Sequence, residues 1–187
     1  VSTPTTTAVL IDEDGRASLK TFDSRPLGDH ELRVENAYTA VSVGTEYLIT
    51  DQKLIGCTYP CLLGYQGAGR VIEVGSAVHG YAVGDRVCSG HSPYQPEGFG
   101  QGAGNAHQSH PIVPEAGDWA QTCLVKVPEG VSDAAAAYAW MVSVSMQGIE
   151  MARPALGEVV AVVGLGLVGQ FAAQLARASG ARVYACD

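Results

Sequence analysis

The chain has 187 residues, 47% hydrophobic and 16% charged, enough for one large domain or one and a half ordinary ones. Its net charge is −8, from 11 basic and 19 acidic side chains, and it has no basic cluster, which argues against a nucleic-acid partner. No apolar run reaches the roughly 18 residues of a membrane span, and the opening Val1-Ser2-Thr3-Pro4 with its following threonines lacks the charged and apolar regions of a signal peptide.

Up to about Val131 the pattern is all-β. Alternating or apolar runs at 7–11, 17–22, 31–37, 69–74, 86–89 and 124–127 predict short strands. Turn signals separate them, at Asp14-Gly15, Pro26 to Asp29, Gly84-Asp85 and Glu129-Gly130. Strands at this spacing suggest a barrel or sandwich. Residues 90–118, rich in Gly, Pro, His and Gln, read as a long excursion from it, and loops of that length are usually functional or mobile. His91, His107, His110 and the Cys57-x3-Cys61 pair invite a metal reading. However, no short C-x2-C or H-x3-H spacing supports it, which leaves loop histidines and unpaired thiols. The five cysteines (57, 61, 88, 123 and 186) are odd in number and dispersed, which suits reduced thiols in a cytoplasm better than a disulfide framework.

The texture changes at Ser132. Ser132-Asp133 is an N-cap signal before a long, mostly apolar helix over 134–151, closed by Arg153-Pro154. Gly157 leads into Val159 to Val163, a β-branched run of the kind buried in parallel sheets. Gly164-x-Gly166-x-x-Gly169 follows. Gly164 suits a tight turn out of the strand, Gly166 lets backbone approach a pyrophosphate, and Gly169 lets the next helix pack close. The backbone of Leu167 and Val168 then lies at a helix N-terminus that faces the phosphates. Residues 170–178 carry Phe171, Leu175 and Ala178 on one helical face, and 182–186 form a second strand ending on Asp187. That acid falls about 20 residues past the glycines, where it can accept both ribose hydroxyls of an adenosine half. It favours NAD, because the 2′-phosphate of NADP meets a like charge there.

A second motif, Gly64-Tyr65-Gln66-x-x-Gly69-x5-Gly75-x-x-Val78 followed by Gly84-Asp85-Arg86-Val87, resembles the signature of the medium-chain dehydrogenase/reductase superfamily. Val43-Gly44-Thr45-Glu46 resembles that family's C-G-[ST]-D segment, and Val125-Lys126-Val127-Pro128 its lead into a bridging helix. The resemblance spans essentially the whole chain in order. It implies an α/β protein: a GroES-like N-terminal β-barrel domain over 1–131, a bridging helix over 132–156, and over 157–187 the first βαβ unit of a Rossmann domain, incomplete. Where the zinc alcohol dehydrogenases of the family hold their metal, this chain has Val43, Tyr65 and, on the looser alignment, Ala139. Valine and alanine have no donor atom and a phenol is a rare zinc ligand. The segment that matches the structural-zinc loop, 90–118, contains no cysteine. The chain therefore resembles a zinc-independent branch, similar in its Ser42-to-Glu46 and Leu63-to-Gly69 segments to bacteriochlorophyllide dehydrogenase-like proteins and two-domain sugar oxidoreductases.

Without a metal, hydrogen-bond donors must polarise the reacting oxygen. The resemblance gives Thr45 the hydroxyl that touches it and starts a proton relay; a turn threonine bonding its own backbone is the alternative. Tyr65 is either an acid facing the cleft or an aromatic filling a vacated metal pocket. Glu46 orients the relay, pairs with a nearby base, or is a structural acid. Ser143 matches a hydroxyl near the nicotinamide, or back-bonds within its helix.

The expectation is an NAD-dependent, zinc-independent oxidoreductase that moves hydride between nicotinamide and a secondary alcohol or carbonyl, polyol- or sugar-like. An NAD(P)H-dependent quinone or enone reductase and a non-catalytic dinucleotide-binding protein are the alternatives. Its partner is a small molecule and, at full length, further copies in a homodimer or homotetramer. One strand, one helix and a second strand are less than a doubly wound domain, so the chain reads as part of a longer one, by ~150 residues at ordinary domain size.

Overall fold

The computed structural model describes residues 4–116 and 124–187. The N-terminal Val1-Ser2-Thr3, Cys123 and the end of the 90–118 segment lie outside the described residues. The chain forms two compact units, Val1–Tyr138 and Ala139–Asp187.

In the first unit, strands β1 (Thr5–Ile11) and β2 (Ala17–Asp23) make an antiparallel hairpin. Asp12 closes its turn by accepting the N–H groups of Asp14 (2.9 Å) and Arg16 (2.8 Å), the self-bonding expected of an Asx turn. β3 (Glu31–Thr39) is followed by helix α1 (Val43–Thr50) and by β4 (Cys61–Leu62), which pairs with the other edge of β1. β5 (Gly67–Val74), β6 (Arg86–Ser89), β7 (Ile112–Pro114) and β8 (Val125–Lys126) complete a five-stranded antiparallel sheet of order β7-β3-β5-β6-β8.

Among the described residues four apolar clusters lie in this unit, and two of them seat the elements around the site. Leu32, Val34, Val71, Val87, Val113 and Leu124 fill the five-stranded sheet, with Val74, Val78 and Tyr81 at its margin. Each such side chain contributes about 2 kcal/mol by leaving water. Ile11, Ile49, Cys61 and Leu63 form the second cluster, which seats α1 against the smaller sheet. The motif glycines have a mechanical reason here. A Cβ at Gly69 in β5 would strike the Glu35 carbonyl of β3, and one at Gly75, just past β5, the Gly28 carbonyl of the loop before β3, so the backbones approach too closely for any side chain.

Helix α2 (Asp133–Ala136) ends the first unit and α3 (Ala139–Ala152) begins the second. The single helix expected over 134–151 is thus two, and the units divide inside the segment read as a bridge. Ser132 caps α2 as expected, accepting the Ala135 N–H at 3.2 Å. Ala136 and Ala137 are buried on Ala40 and Ala68 of the barrel, with Tyr138 beside them, and this packing holds the turn where a helical pattern alone would continue.

The second unit continues with β9 (Val159–Val163), α4 (Leu167–Ala178) and β10 (Arg182–Cys186), the two strands parallel and in register from Val159↔Arg182 to Val163↔Cys186. Both strands have the expected bounds. On α4 it is Ala176 that is fully buried, with Phe171 and Leu175 half-buried and Ala178 exposed, so the buried face is rotated from the one expected. Val159, Val163 and Tyr184 of the sheet face solvent.

Candidate active site and dinucleotide half-site

Glu46 sits in the first turns of α1 and bends back on the helix start. One carboxylate oxygen accepts the Ser42 N–H at 2.8 Å, and the Glu46 N–H donates to the Ser42 carbonyl at 2.9 Å. The other oxygen meets Nε2 of His107 at 3.1 Å, with both residues only 7% exposed. Glu46 is thus both paired with an imidazole and tied to its own helix start, as a structural acid would be. His107 lies in a loop, as read from the sequence, but it is buried and fixed there. Its N–H donates to the Leu63 carbonyl (2.9 Å), its carbonyl accepts from Val9 (3.0 Å), and Ala106 donates to Gly64 (2.8 Å). The ring lies on the Cα of Gly64, where a Cβ would run into it, and Gly64 has φ +84°. The other ring nitrogen, Nδ1, is buried without a partner. Sequence spacing gave no sign of this pair, because its members stand far apart in the chain and meet through strand pairing.

Tyr65, the next residue, is half-buried, and its ring centroid lies 6.3 Å from that of His91. Both depend on Gly104 (φ +115°), where a Cβ would fall 2.8 Å from the Tyr65 Cβ and 3.0 Å from His91 Nδ1. Burial lowers the His91 pKa below the ordinary imidazole value. Thr45 precedes Glu46 on α1 and is half-buried. Residues 45–46, 64–65, 91, 104 and 107 are thus linked through the Glu46–His107 bond and the two glycine contacts.

The zinc positions give a different result. Val43 is 76% exposed and, like Ala139, offers no donor. Among the described residues no three His, Cys, Asp or Glu side chains gather as a metal site requires. These residues do not fit a catalytic zinc. His110 lies apart from His107 in its bonding, with Nδ1 2.9 Å from the Ser109 hydroxyl. Cys57 and Cys61 pack in the apolar cluster around Ile11 and Ile49. Burial raises both thiol pKa values, that of Cys61 to about 11.

In the second unit the glycine turn has the mechanics its spacing predicts. Gly164 has φ +94° and donates to the Cys186 carbonyl at 2.8 Å. Gly166 is the N-cap of α4, and nothing lies within 4 Å of where its Cβ would be, which leaves open space at the helix start. A Cβ at Gly169 would strike the Gly164 carbonyl. The backbone N–H groups of Leu167, Val168 and Gly169 belong to the first turn, which has no intrahelical acceptors. The Asp187 carboxylate closes the turn from β10 by accepting the Leu165 N–H at 2.9 Å. Ser143 is exposed and donates to the Trp140 carbonyl at 2.7 Å, the back-bonding alternative. The neighbouring Ser145, which the sequence did not single out, is buried, with its hydroxyl 3.1 Å from the carbonyls of both Met141 and Val168, and so ties α3 to the start of α4.

Comparison with known proteins agrees with these motifs. Residues 28–132 match the alcohol dehydrogenase GroES-like domain. The chain is 36% identical over 139 residues to acryloyl-coenzyme A reductase of Metallosphaera sedula, covering 67% of this chain and 41% of that protein. It is 29% identical over 175 residues to sorbitol dehydrogenase of Halalkalibacterium halodurans, covering 83% and 48%. The chain therefore spans less than half the length of these two relatives. Among solved structures, 2R,3R-butanediol dehydrogenase from Bacillus subtilis superposes with a TM-score of 0.81 at 19% identity, over 97% of this chain and 58% of that one.

Proposed function

The chain belongs to the medium-chain dehydrogenase/reductase superfamily of alcohol dehydrogenase-like proteins, and on that premise we propose that it serves an NAD-dependent oxidoreductase that works without a catalytic zinc, on a secondary alcohol or carbonyl of polyol or sugar type. The observation that carries the cofactor reading is the Asp187 carboxylate held 2.9 Å from the Leu165 N–H at the glycine turn. Its remaining acceptor capacity suits two ribose hydroxyls and repels a 2′-phosphate. Gly166 leaves room for the pyrophosphate, and the N–H groups of Leu167, Val168 and Gly169 bind it with the help of the helix dipole. The bound cofactor supplies or accepts the hydride.

On the substrate side, Thr45 and Tyr65 are the donors that we assign to the reacting oxygen. A hydrogen bond to a developing oxyanion is worth about 3 to 4 kcal/mol when removed. Glu46 and His107 hold the first turn of α1, with Thr45, against the loop that carries Tyr65, and Tyr65 with its His91 neighbour supplies or takes the proton. The absence of donor atoms at Val43 and Ala139 supports a metal-free reading of this step. Ser143 is kept as a cofactor contact only if its hydroxyl leaves Trp140. Cys57, Cys61 and Cys186 are free thiols, which agrees with a reduced, cytoplasmic setting.

The test is turnover of a panel of polyols, simple secondary alcohols, quinones and enones with NAD(H) and NADP(H), with metal analysis of the same sample. NAD-linked polyol oxidation by metal-free protein is the expected result. Stoichiometric zinc that is lost with Tyr65→Phe, or reduction of quinones alone, would overturn it.

A further inference from the structure

After β6 the chain leaves the barrel at His91 and returns along residues 100–105, and between these two runs lies a cavity of about 440 Å³. Its polar lining is His91, Ser92, Gln95, Gln101 and Asn105, with Gly102 and Gly104 opposite. Among the described residues no carboxylate, ammonium or guanidinium lines it, and burial keeps His91 toward its neutral form.

The lining is built into the fold. Asn105 adopts φ +58° and is only 2% exposed. Its amide nitrogen is used twice, donating to the carbonyls of Ser92 (3.2 Å) and Tyr94 (3.3 Å), while its Oδ1 is buried without a partner. Ser92 is anchored at both ends: its N–H donates to the Gly104 carbonyl at 2.7 Å and its hydroxyl to Ile112 at 2.8 Å. Gly100 and Gly102 press their backbone on Thr58 and Leu62 so closely that neither tolerates a Cβ, and the Gln101 N–H donates to the Thr58 hydroxyl at 2.7 Å. Gln95 Nε2 donates to Gln101 Oε1 at 3.2 Å. The cavity also shares His91 and Gly104 with Tyr65.

We propose that this cavity is a substrate subsite that reads the hydroxyls of a neutral polyol or unphosphorylated sugar, with Gln95 and Gln101 as its specificity-determining residues and His91 joining it to Tyr65. This rests on the assignment of Tyr65 to the reacting oxygen. The chemistry is that of matched donors and acceptors. Each hydroxyl both donates and accepts, and so does each primary amide. A phosphate or carboxylate would find no cation among the described lining residues. A flat apolar quinone would leave amides unpaired, and a site built to bond a hydroxyl strongly rejects the analogue that lacks it. The volume is that of a pocket for a small molecule.

Saturation-transfer NMR on this chain tests the subsite, with sorbitol, sorbitol 6-phosphate and benzoquinone as probes, repeated with Gln95→Leu and Gln101→Leu. The two glutamines are at the edge of the cavity, so thermal melting of each variant checks that the fold persists. Sorbitol should bind in preference to both other probes and weaken about tenfold in each variant, the loss of roughly one hydrogen bond. Sorbitol binding that both variants leave unchanged, absence of sorbitol binding, or preference for the phosphate ester would overturn the subsite. NAD-linked turnover of simple secondary alcohols separates the two readings. If it occurs while sorbitol fails to bind, the oxidoreductase stands and the subsite falls. Glutamine-dependent sorbitol binding with no turnover of any substrate has the opposite meaning.

Discussion

Glu46 Oε2 and His107 Nε2 lie 3.1 Å apart inside the barrel, joining the first turns of α1 to a segment more than sixty residues later. This bond relates the Ser-Val-Gly-Thr-Glu start of α1 to the Leu-Gly-Tyr loop between β4 and β5, because His107 also bonds to Leu63 and lies on Gly64. Two of the groups assigned to the substrate oxygen, Thr45 and Tyr65, are each one residue from a member of this assembly.

Breaking the pair from one side should be costly. Glu46→Ala leaves His107 without its acceptor, and His107→Ala leaves a buried carboxylate, for which about 3–5 kcal/mol of stability is the usual loss. The double variant should lose less than the sum, since no uncompensated charge remains. Urea denaturation of the four proteins measures this directly. Additive losses would show that the two groups do not act on one another.

Gly64→Ala should destabilise for two separable reasons. The residue has φ +84°, which costs an L side chain about 1 kcal/mol, and the new methyl would run into the His107 ring. In a His107→Ala background the second cost disappears and the first remains. The same denaturation series therefore predicts a smaller effect of Gly64→Ala in the variant than in the parent, and an equal effect would rule out the ring contact as its cause.

Much of the frame was legible in the sequence, because it rests on local patterns. Val159 to Val163 and Arg182 to Cys186 are apolar runs closed by glycine and an acid, and both strands have the bounds that their periodicity gives. α1 was missed, since Val43-Gly44-Thr45 contains a β-branched pair around glycine and has no helical signature. β4 and β7 are two and three residues long, too short for a period to show. The break between α2 and α3 is a tertiary effect of Ala136, Ala137 and Tyr138 on the barrel. At the candidate site, Thr45, Glu46 and Tyr65 were proposed by resemblance, whereas the positions of His107 and Asn105 follow only from the bonding of 104–107 to 63–64 and 92, which no spacing encodes.

Cys61 should be inert and Cys186 reactive. Burial, with a further push from neighbouring Cys57, raises the Cys61 thiol to about 11, so almost no thiolate exists at pH 8, while Cys186 is exposed. Alkylation followed by peptide mapping should modify Cys186 and spare Cys61 until the protein unfolds. The sign for stability follows from the raised value. The unfolded thiol ionises at about 8.5 to 9 and the folded one near 11, so the contribution of Cys61 is intact below pH 8.5 and lost as pH rises through that window. Cys61→Ala should flatten this alkaline loss, and an unchanged slope would assign it to other groups.

Asp187 combines two duties that substitutions can separate. Its carboxylate accepts the Leu165 N–H, which shapes the glycine turn, and its charge is the feature assigned to cofactor choice. Asp187→Asn keeps an acceptor for Leu165 and removes the charge. It should weaken NAD by about tenfold, the worth of a charged over a neutral hydrogen bond, while NADP binding improves because the like charge is gone. Asp187→Ser is too short to reach Leu165 in the same way and should weaken both cofactors as the turn loosens. NADH and NADPH titrations followed by fluorescence give all four comparisons. If Asn and Ser behave alike and the preference for NAD persists in both, Asp187 shapes the turn only, and the cofactor is chosen elsewhere in the protein.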